Sequence, residues 1–292
     1  MFEGFEQRQI DTGDVTINLQ MAGHGPPLLL LHGYPQTHVM WHKVAPQLAE
    51  HFTVVVPDLR GYGDSSKPPA GENYVGYSKR QMALDMVLVM QKLGFERWRV
   101  AGHDRGARVS YRMALDHPER VERLCSMDVV PTIEQFEQTA HRPTAVAMYH
   151  WFFLAQPSPF PEKLIGADSE YYLRHSMESW GNSNTAFTAE AMAEYIRCFS
   201  NPETIRATCD CYRAGATIDC DIDARSREEG DQITCPTLML WGDRDGAMNG
   251  ERQMDVWRRW ATDVKGQGVP GGHFCPEEAP GETLQALLGF FR

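Results

Sequence analysis

An α/β fold with a mostly parallel central sheet is the architecture this 292-residue sequence predicts. Three observations carry that prediction. Short runs that are apolar at every position recur along the chain, where a strand buried on one face only would alternate. Segments with helical spacing separate those runs. Between Pro131 and Cys235, about a hundred residues carry helical patterning and aromatics without a convincing strand, too long a stretch for a loop.

Taken in order, residues 15–21 alternate as a strand and lead into a turn at 23–27. The run 28–31 is apolar throughout and ends in His32-Gly33-Tyr34-Pro35, and 54–56 is another, ending in Pro57-Asp58-Leu59-Arg60-Gly61. Helical periodicity occupies 78–93. Residues 98–101 read as a buried strand, and 107–115 continue as a helix with Val109, Met113 and Ala114 on one side. The runs 124–127 and 238–241 complete the buried strands, with Val269 near a last one. Strands apolar on both faces need helices on both sides of the sheet. The helical stretch is expected to be an insertion, residues 131–234, dividing a core made of 1–130 and 235–292. Ligands in open α/β sheets bind beyond the carboxyl ends of the strands, so a helical cap there would roof the site and exclude water.

Composition narrows the partners. With 42% hydrophobic and 10% aromatic residues the chain can bury a large core as one domain with an insertion. A formal net charge of -11 disfavours nucleic acid and anionic membranes, and it would repel a free anion at long range, so any anion site must be built locally. No run is long and apolar enough for a membrane span, and the acidic start at Glu3 and Glu6 lacks signal-peptide character. A cytoplasmic protein is expected. The seven cysteines are odd in number and scattered, without a C-x-x-C pair. Buried reduced thiols are expected, and zinc is not.

Chemistry enters at Gly102-His103-Asp104-Arg105-Gly106, between the strand at 98–101 and the helix at 107–115. Strand-to-helix elbows of this outline usually present serine; here the apex is Asp104. Gly102 and Gly106 leave room for a turn that holds the central side chain in a strained position. A serine attacks acyl carbon, whereas a carboxylate displaces a leaving group from saturated carbon and leaves an alkyl ester to be hydrolysed. The bland alternative is an ordinary turn whose aspartate caps the next helix.

Hydrolysing that ester requires a base. His273, in Gly271-Gly272-His273-Phe274, lies in a glycine-rich loop after the last strand, where it can return over the elbow. It needs an orienting carboxylate. Asp128, ending the run 124–127, and Asp245, in Trp241-Gly242-Asp243-Arg244-Asp245, both answer, and spacing does not choose between them. Arg105 and Arg108 lie three apart in the first turn of the elbow helix and share a face. Cations there oppose the helix dipole by about 0.3 to 1 kcal/mol each, which a bound carboxylate gripped by guanidinium groups would offset. Surface ion pairing is the usual fate of arginine and is expected for Arg112.

The segments His32-Gly33-Tyr34-Pro35-Gln36-Thr37-His38, Gly102-His103-Asp104-Arg105-Gly106-Ala107-Arg108 and Gly272-His273-Phe274 resemble the haloacetate dehalogenases of the α/β-hydrolase superfamily, in particular the fluoroacetate dehalogenases. The similarity runs through nearly the whole chain. The Asp-Arg-Gly-x-Arg run is its specific part; the remaining outline is shared with epoxide hydrolases and haloalkane dehalogenases. The resemblance implies an α/β-hydrolase fold with an inserted helical cap, Asp104 as nucleophile, His273 as general base with Asp128 as its partner, and Arg105 and Arg108 on the substrate carboxylate. It further implies a halide pocket of His150, Trp151 and Tyr212, whose N-H and O-H groups can donate toward a departing anion. Phe152 and Phe153 are expected to pack on the core. Backbone N-H groups of Tyr34 and Arg105 are expected to form an oxyanion hole.

The implied reaction converts a short 2-haloacid, fluoroacetate ahead of chloroacetate, to glycolate and halide, with no metal or organic cofactor. The implied partners are that substrate and a second copy of the chain as a homodimer. Tyr34 stands where relatives often have phenylalanine, and Asp245 is an additional acid; both bear on the leaving-group order. An epoxide hydrolase is the nearest rival, with Tyr149 and Tyr212 protonating an alkoxide, yet a simple epoxide has no carboxylate for the arginines. A ligand-sensing protein on the same scaffold is disfavoured by the joint presence of nucleophile, base and acid.

Overall fold

The computed structural model describes residues 1–182, 185–243 and 250–292. Eight strands form one sheet: β1 (Glu6–Asp11), β2 (Thr16–Ala22), β3 (Pro27–Leu31), β4 (Thr53–Pro57), β5 (Trp98–His103), β6 (Val121–Met127), β7 (Thr237–Gly242) and β8 (Val264–Val269). Their order is β1-β2-β4-β3-β5-β6-β7-β8. β2 pairs antiparallel with β1 and β4, and the remaining pairs are parallel.

The central strands follow from their composition. Alternate residues enter opposite cores: Leu29, Leu31, Val55, Val100 and Leu124 face one, while Leu28, Leu30, Val54, Val56, Ala101 and Met127 face the other. The first core is closed by helices Lys79–Lys92, Arg105–Asp116 and Gly250–Trp260 through Met82, Met86, Val109, Met113 and Trp257; the second by Leu48 and by Leu287 and Phe291 of Pro280–Phe291. A strand that must satisfy two cores cannot alternate.

The two outermost strands depart from the expectation. No strand was expected at Glu6–Asp11, and β8 was marked only by Val269. Both are polar, and β1 has four of its six residues exposed. Polar sheet edges resist pairing with another chain, at the cost of the apolar signal by which strands are recognised.

Chain order reverses between β4 and β3 on one side and β5 on the other, so the loops after β3 and β5 part at their carboxyl ends and open a crevice. Leu31 registers with Gly102 there. The turn demands its glycines: a Cβ on Gly102 would stand 2.4 Å from the Gly106 carbonyl oxygen, and one on Gly106 would stand 2.4 Å from that of His32.

Every described element between β6 and β7 is helical. Polar residues start several of these helices: Asp168, Thr188 and Asn201 accept the first free N-H groups of Ser169–Trp180, Ala189–Phe199 and Pro202–Ala214. A π-helical turn, Gly215–Asp219, joins Pro202–Ala214 to Cys220–Glu229. A Cβ on Gly215 would lie 3.3 Å from a guanidinium nitrogen of Arg105, so the widened turn brings bare backbone against that cation.

Packing of this insertion on the elbow helix corrects one expectation. Arg112 is buried, not a surface residue, and pairs with Asp116 at 2.8 Å and with Asp223 of Cys220–Glu229 at 3.8 Å. A second correction concerns Phe152. It is exposed, because the short helix Tyr149–Leu154 turns His150, Trp151 and Leu154 inward, while Phe153 is partly buried beside Phe160 and Tyr172.

Candidate active site

Asp104 follows β5 and precedes the elbow helix with φ 47° and ψ -111°, a conformation that L residues hold only where the surroundings enforce it. Its Oδ1 accepts the Tyr34 N-H from the loop after β3 at 2.8 Å. The Arg105 N-H is in the first turn of the helix, where N-H groups have no intrahelical acceptor. Burial opposes charge on Asp104, but Arg105, then His273, His103 and Arg108, outweigh it and hold its carboxyl down at about 2. The group is a carboxylate at neutral pH.

His273 places Nε2 4.0 Å from Asp104 Oδ2 and Nδ1 2.5 Å from Asp128 Oδ2. Asp128 leaves β6 with φ 57°, donates its N-H to Leu240 at 2.8 Å and accepts that of Gly242 at 3.3 Å. It is thereby pinned between the ends of β6 and β7. Burial lowers the His273 pKa, but the hydrogen bond and charge of Asp128, with Asp104 behind them, raise it above 6.5 overall. The competing acid, Asp245, lies outside the described residues.

The arginines differ in their surroundings. Arg105 is fully buried, its three guanidinium nitrogens have no hydrogen-bond partner, and its central carbon lies 3.5 Å from the Tyr212 ring centroid and 4.6 Å from that of Trp151. Arg108 lies 4.5 Å from the Trp151 centroid and donates to the Val130 carbonyl at 2.7 Å, leaving Nε without a partner. The aromatic faces compensate part of the buried positive charge. They cannot replace an anion's hydrogen bonds.

His150, Trp151 and Tyr212 converge on the same place, the Tyr212 ring lying 6.0 Å from each of the other two. Burial, then Arg105, pushes the His150 pKa down to about 3. Its ring is neutral, and Nδ1 is buried without a partner. Tyr149, the second phenol expected for an epoxide chemistry, is exposed.

Two residues of the site carried no functional signal in the sequence. Trp180 packs tilted against His150 at 4.3 Å between centroids and turns an edge to His273 at 6.2 Å. His103 donates from Nε2 to the His273 carbonyl at 2.7 Å. A tryptophan ending an amphipathic helix looks like core, and the place of His103 beside Asp104 hid the fact that it serves the base loop.

The α/β hydrolase fold family matches residues 26–280, and the chain belongs to it. Within that family it falls with the haloacetate dehalogenases: fluoroacetate dehalogenase of Burkholderia sp. is 45% identical over 292 residues, covering 99% of this chain and 95% of the relative. Soluble epoxide hydrolase of Corynebacterium sp. (strain C12) is 37% identical over 273 residues, 92% of this chain and 91% of the relative. Among solved structures, an α/β hydrolase from Nostoc sp. PCC 7120 superposes with a TM-score of 0.96 at 55% identity, over 100% of this chain and 99% of that one. Among the described residues no helix is long and apolar enough to cross a membrane.

Proposed function

We propose that this protein hydrolyses the carbon–halogen bond of short 2-haloacids, fluoroacetate first and chloroacetate next. The observation that carries the reading is the pairing of an ionised Asp104 with the adjacent Arg105 guanidinium, buried and without an acceptor. A buried charged donor left unsatisfied is costly, and a carboxylate bearing an electrophilic α-carbon supplies both the missing acceptor and the atom to attack.

The Tyr34 N-H already holds Oδ1 of Asp104, which leaves Oδ2 to attack. Oδ2 bonds to the α-carbon as the carbon–halogen bond breaks, and halide leaves toward His150, Trp151 and Tyr212. Each donor to the developing anion contributes about 1.5 to 3 kcal/mol, and about 1.4 kcal/mol is tenfold in rate. In the second half, His273 Nε2 takes a proton from water and the oxygen adds to the aspartyl ester carbon. Oδ1 becomes the oxyanion, already against the Tyr34 N-H, with the Arg105 N-H as second donor. Collapse releases glycolate, restores the carboxylate and frees one proton.

In this reading residues 131–234 act as a cap over a core of 1–130 and 235–292, the protein works in the cytoplasm, where its seven free cysteines stay reduced, and it forms a homodimer. Exposed Val146, Tyr149, Phe152, Phe160, Leu164 and Tyr171 give the insertion an apolar surface for that contact. Sedimentation at the dimer mass is expected. The Corynebacterium relative favours an epoxide hydrolase as second reading, but exposed Tyr149 leaves Tyr212 as the one buried phenol of the pair, and an epoxide leaves Arg105 unpaired.

Halide release from fluoroacetate and chloroacetate, beside hydrolysis of a simple terminal epoxide, tests the choice. Repeated turnover in ¹⁸O-water should label Asp104. Epoxide turnover without halide release would overturn the dehalogenase reading, and the absence of label under turnover would overturn the ester mechanism.

A further inference from the structure

We infer that Glu278 is a positioning residue for the water-activating half of the reaction, fastening the His273 loop to the helical insertion so that base and roof are held as one unit. The inference rests on the haloacid reading above. Glu278 closes the one-turn helix Cys275–Glu278, outside the elbow that carries Asp104, Arg105 and Arg108 and outside the helices that carry the three halide donors. Its Oε2 accepts the N-H of Gly272 at 2.9 Å and that of Phe274 at 3.0 Å, the residues immediately before and after His273. Its Oε1 accepts the N-H of Asn182, two residues past the end of Ser169–Trp180.

The same seam carries a further bond, from the His273 N-H to the Trp180 carbonyl at 3.2 Å. It is closed tightly. A Cβ on Gly272 would stand 2.8 Å from the Asn182 nitrogen and 2.9 Å from Glu278 Oε2, and one on Gly181 would stand 3.3 Å from Glu278 Oε1. With His103 bonded to the His273 carbonyl from the elbow side, the backbone carrying the imidazole is held from both sides. Asp128 sets the ring's rotation and raises its pKa.

Without Glu278, two buried N-H groups flanking the base lose their acceptor, and the loop is free to shift. A displacement of about 1 Å of a reacting group costs about a hundredfold. That loss falls on ester hydrolysis, which needs His273, and spares alkylation, which needs Asp104, the arginines and the halide donors. A residue that merely supported the fold would slow both steps together.

The test is rapid-quench mass spectrometry of Asp104 during turnover of chloroacetate by the intact enzyme and by Glu278→Ala. The alkylation rate constant should stay within about twofold, hydrolysis should fall at least about tenfold, and the Asp104 ester should become the dominant enzyme form. Glu278→Gln keeps one oxygen for both loop N-H groups but sets an amide NH2 against the Asn182 N-H, so it should recover hydrolysis only in part, to about threefold to tenfold below the parent. Should the alanine variant not fold, Glu278→Asp, too short to span the loop and Asn182 at once, should accumulate the ester in its place. A parent enzyme that forms no Asp104 ester overturns the haloacid reading and this inference with it. A parent that turns over beside variants slowed equally in both steps, or in neither, overturns this inference alone.

Discussion

Replacing Arg105 by methionine asks whether the buried guanidinium exists to hold a substrate carboxylate. The side chain is fully buried, its nitrogens bond to nothing, and its nearest neighbours are the faces of Tyr212 and Trp151 at 3.5 and 4.6 Å. Methionine fills much of that volume with an apolar, adaptable chain. A carboxylate gripped by two charge-assisted hydrogen bonds gains about 1.5 to 3 kcal/mol from each. Losing both, about 3 to 6 kcal/mol, lowers kcat/KM by roughly a hundredfold to ten-thousandfold. Chloroacetamide keeps the size and the leaving group of chloroacetate without its charge, so the ratio of kcat/KM for acid over amide isolates the clamp. Arg105 is also the foremost charge holding Asp104 at about 2. The comparison therefore belongs at about pH 8, far above the ordinary carboxylate range. The ratio should collapse by at least about a hundredfold. Equal losses on acid and amide, or an unchanged ratio, would refute the assignment.

Three other outcomes are expected. Asp104→Asn should release no halide at first, with any slow return of activity matched by mass-spectrometric conversion of the amide to acid; immediate turnover would exclude Asp104 as nucleophile. Ester hydrolysis should rise with pH as His273 loses its proton, because His273 acts only when neutral and Asp128, opposed by burial, favours its charged form, with Glu278 adding to it, His103 neutral beside it and Asp104 uncharged in its ester. Asp128→Asn should move that limb to lower pH, and single-turnover hydrolysis followed from pH 5 to 9 checks the direction. Glu277 is held up at about 8 by burial, against hydrogen bonds from Tyr195 and Gln36 and the charge of nearby Lys43. Since its folded pKa lies above the unfolded one, the stability it contributes is complete below about 4.5 and declines as pH rises to about 8, by at most about 1.4 kcal/mol per pH unit. Urea unfolding at several pH values should show that decline weakened in Glu277→Gln, and an unchanged slope would dismiss it.

Several parts of the molecule were legible along the chain for one reason. Strands β3 to β7 satisfy two cores at once, so their runs are apolar throughout, and the elbow declares itself through glycines, Gly102 required by the turn's own Gly106 carbonyl and Gly106 by the carbonyl of His32 in the neighbouring loop. The polar edges β1 and β8 were faint because an edge strand needs little burial. Nothing local could reveal that Arg112 is buried by Asp223, that Trp180 packs against His150, or that His103 holds the carbonyl of His273.

By itself the sequence determined an α/β core with a long helical interruption, an aspartate at the strand-to-helix turn and two cations one helical turn apart, all set by neighbours within a few residues. Tertiary structure decided which groups meet. Asp128 reaches His273 across 145 positions, and the unpaired Arg105 is enclosed by Tyr212 from the insertion. Periodicity and turn chemistry are written in adjacent residues, whereas the distance between two side chains far apart in the chain exists only after the sheet has aligned its strand ends and the insertion has packed over them.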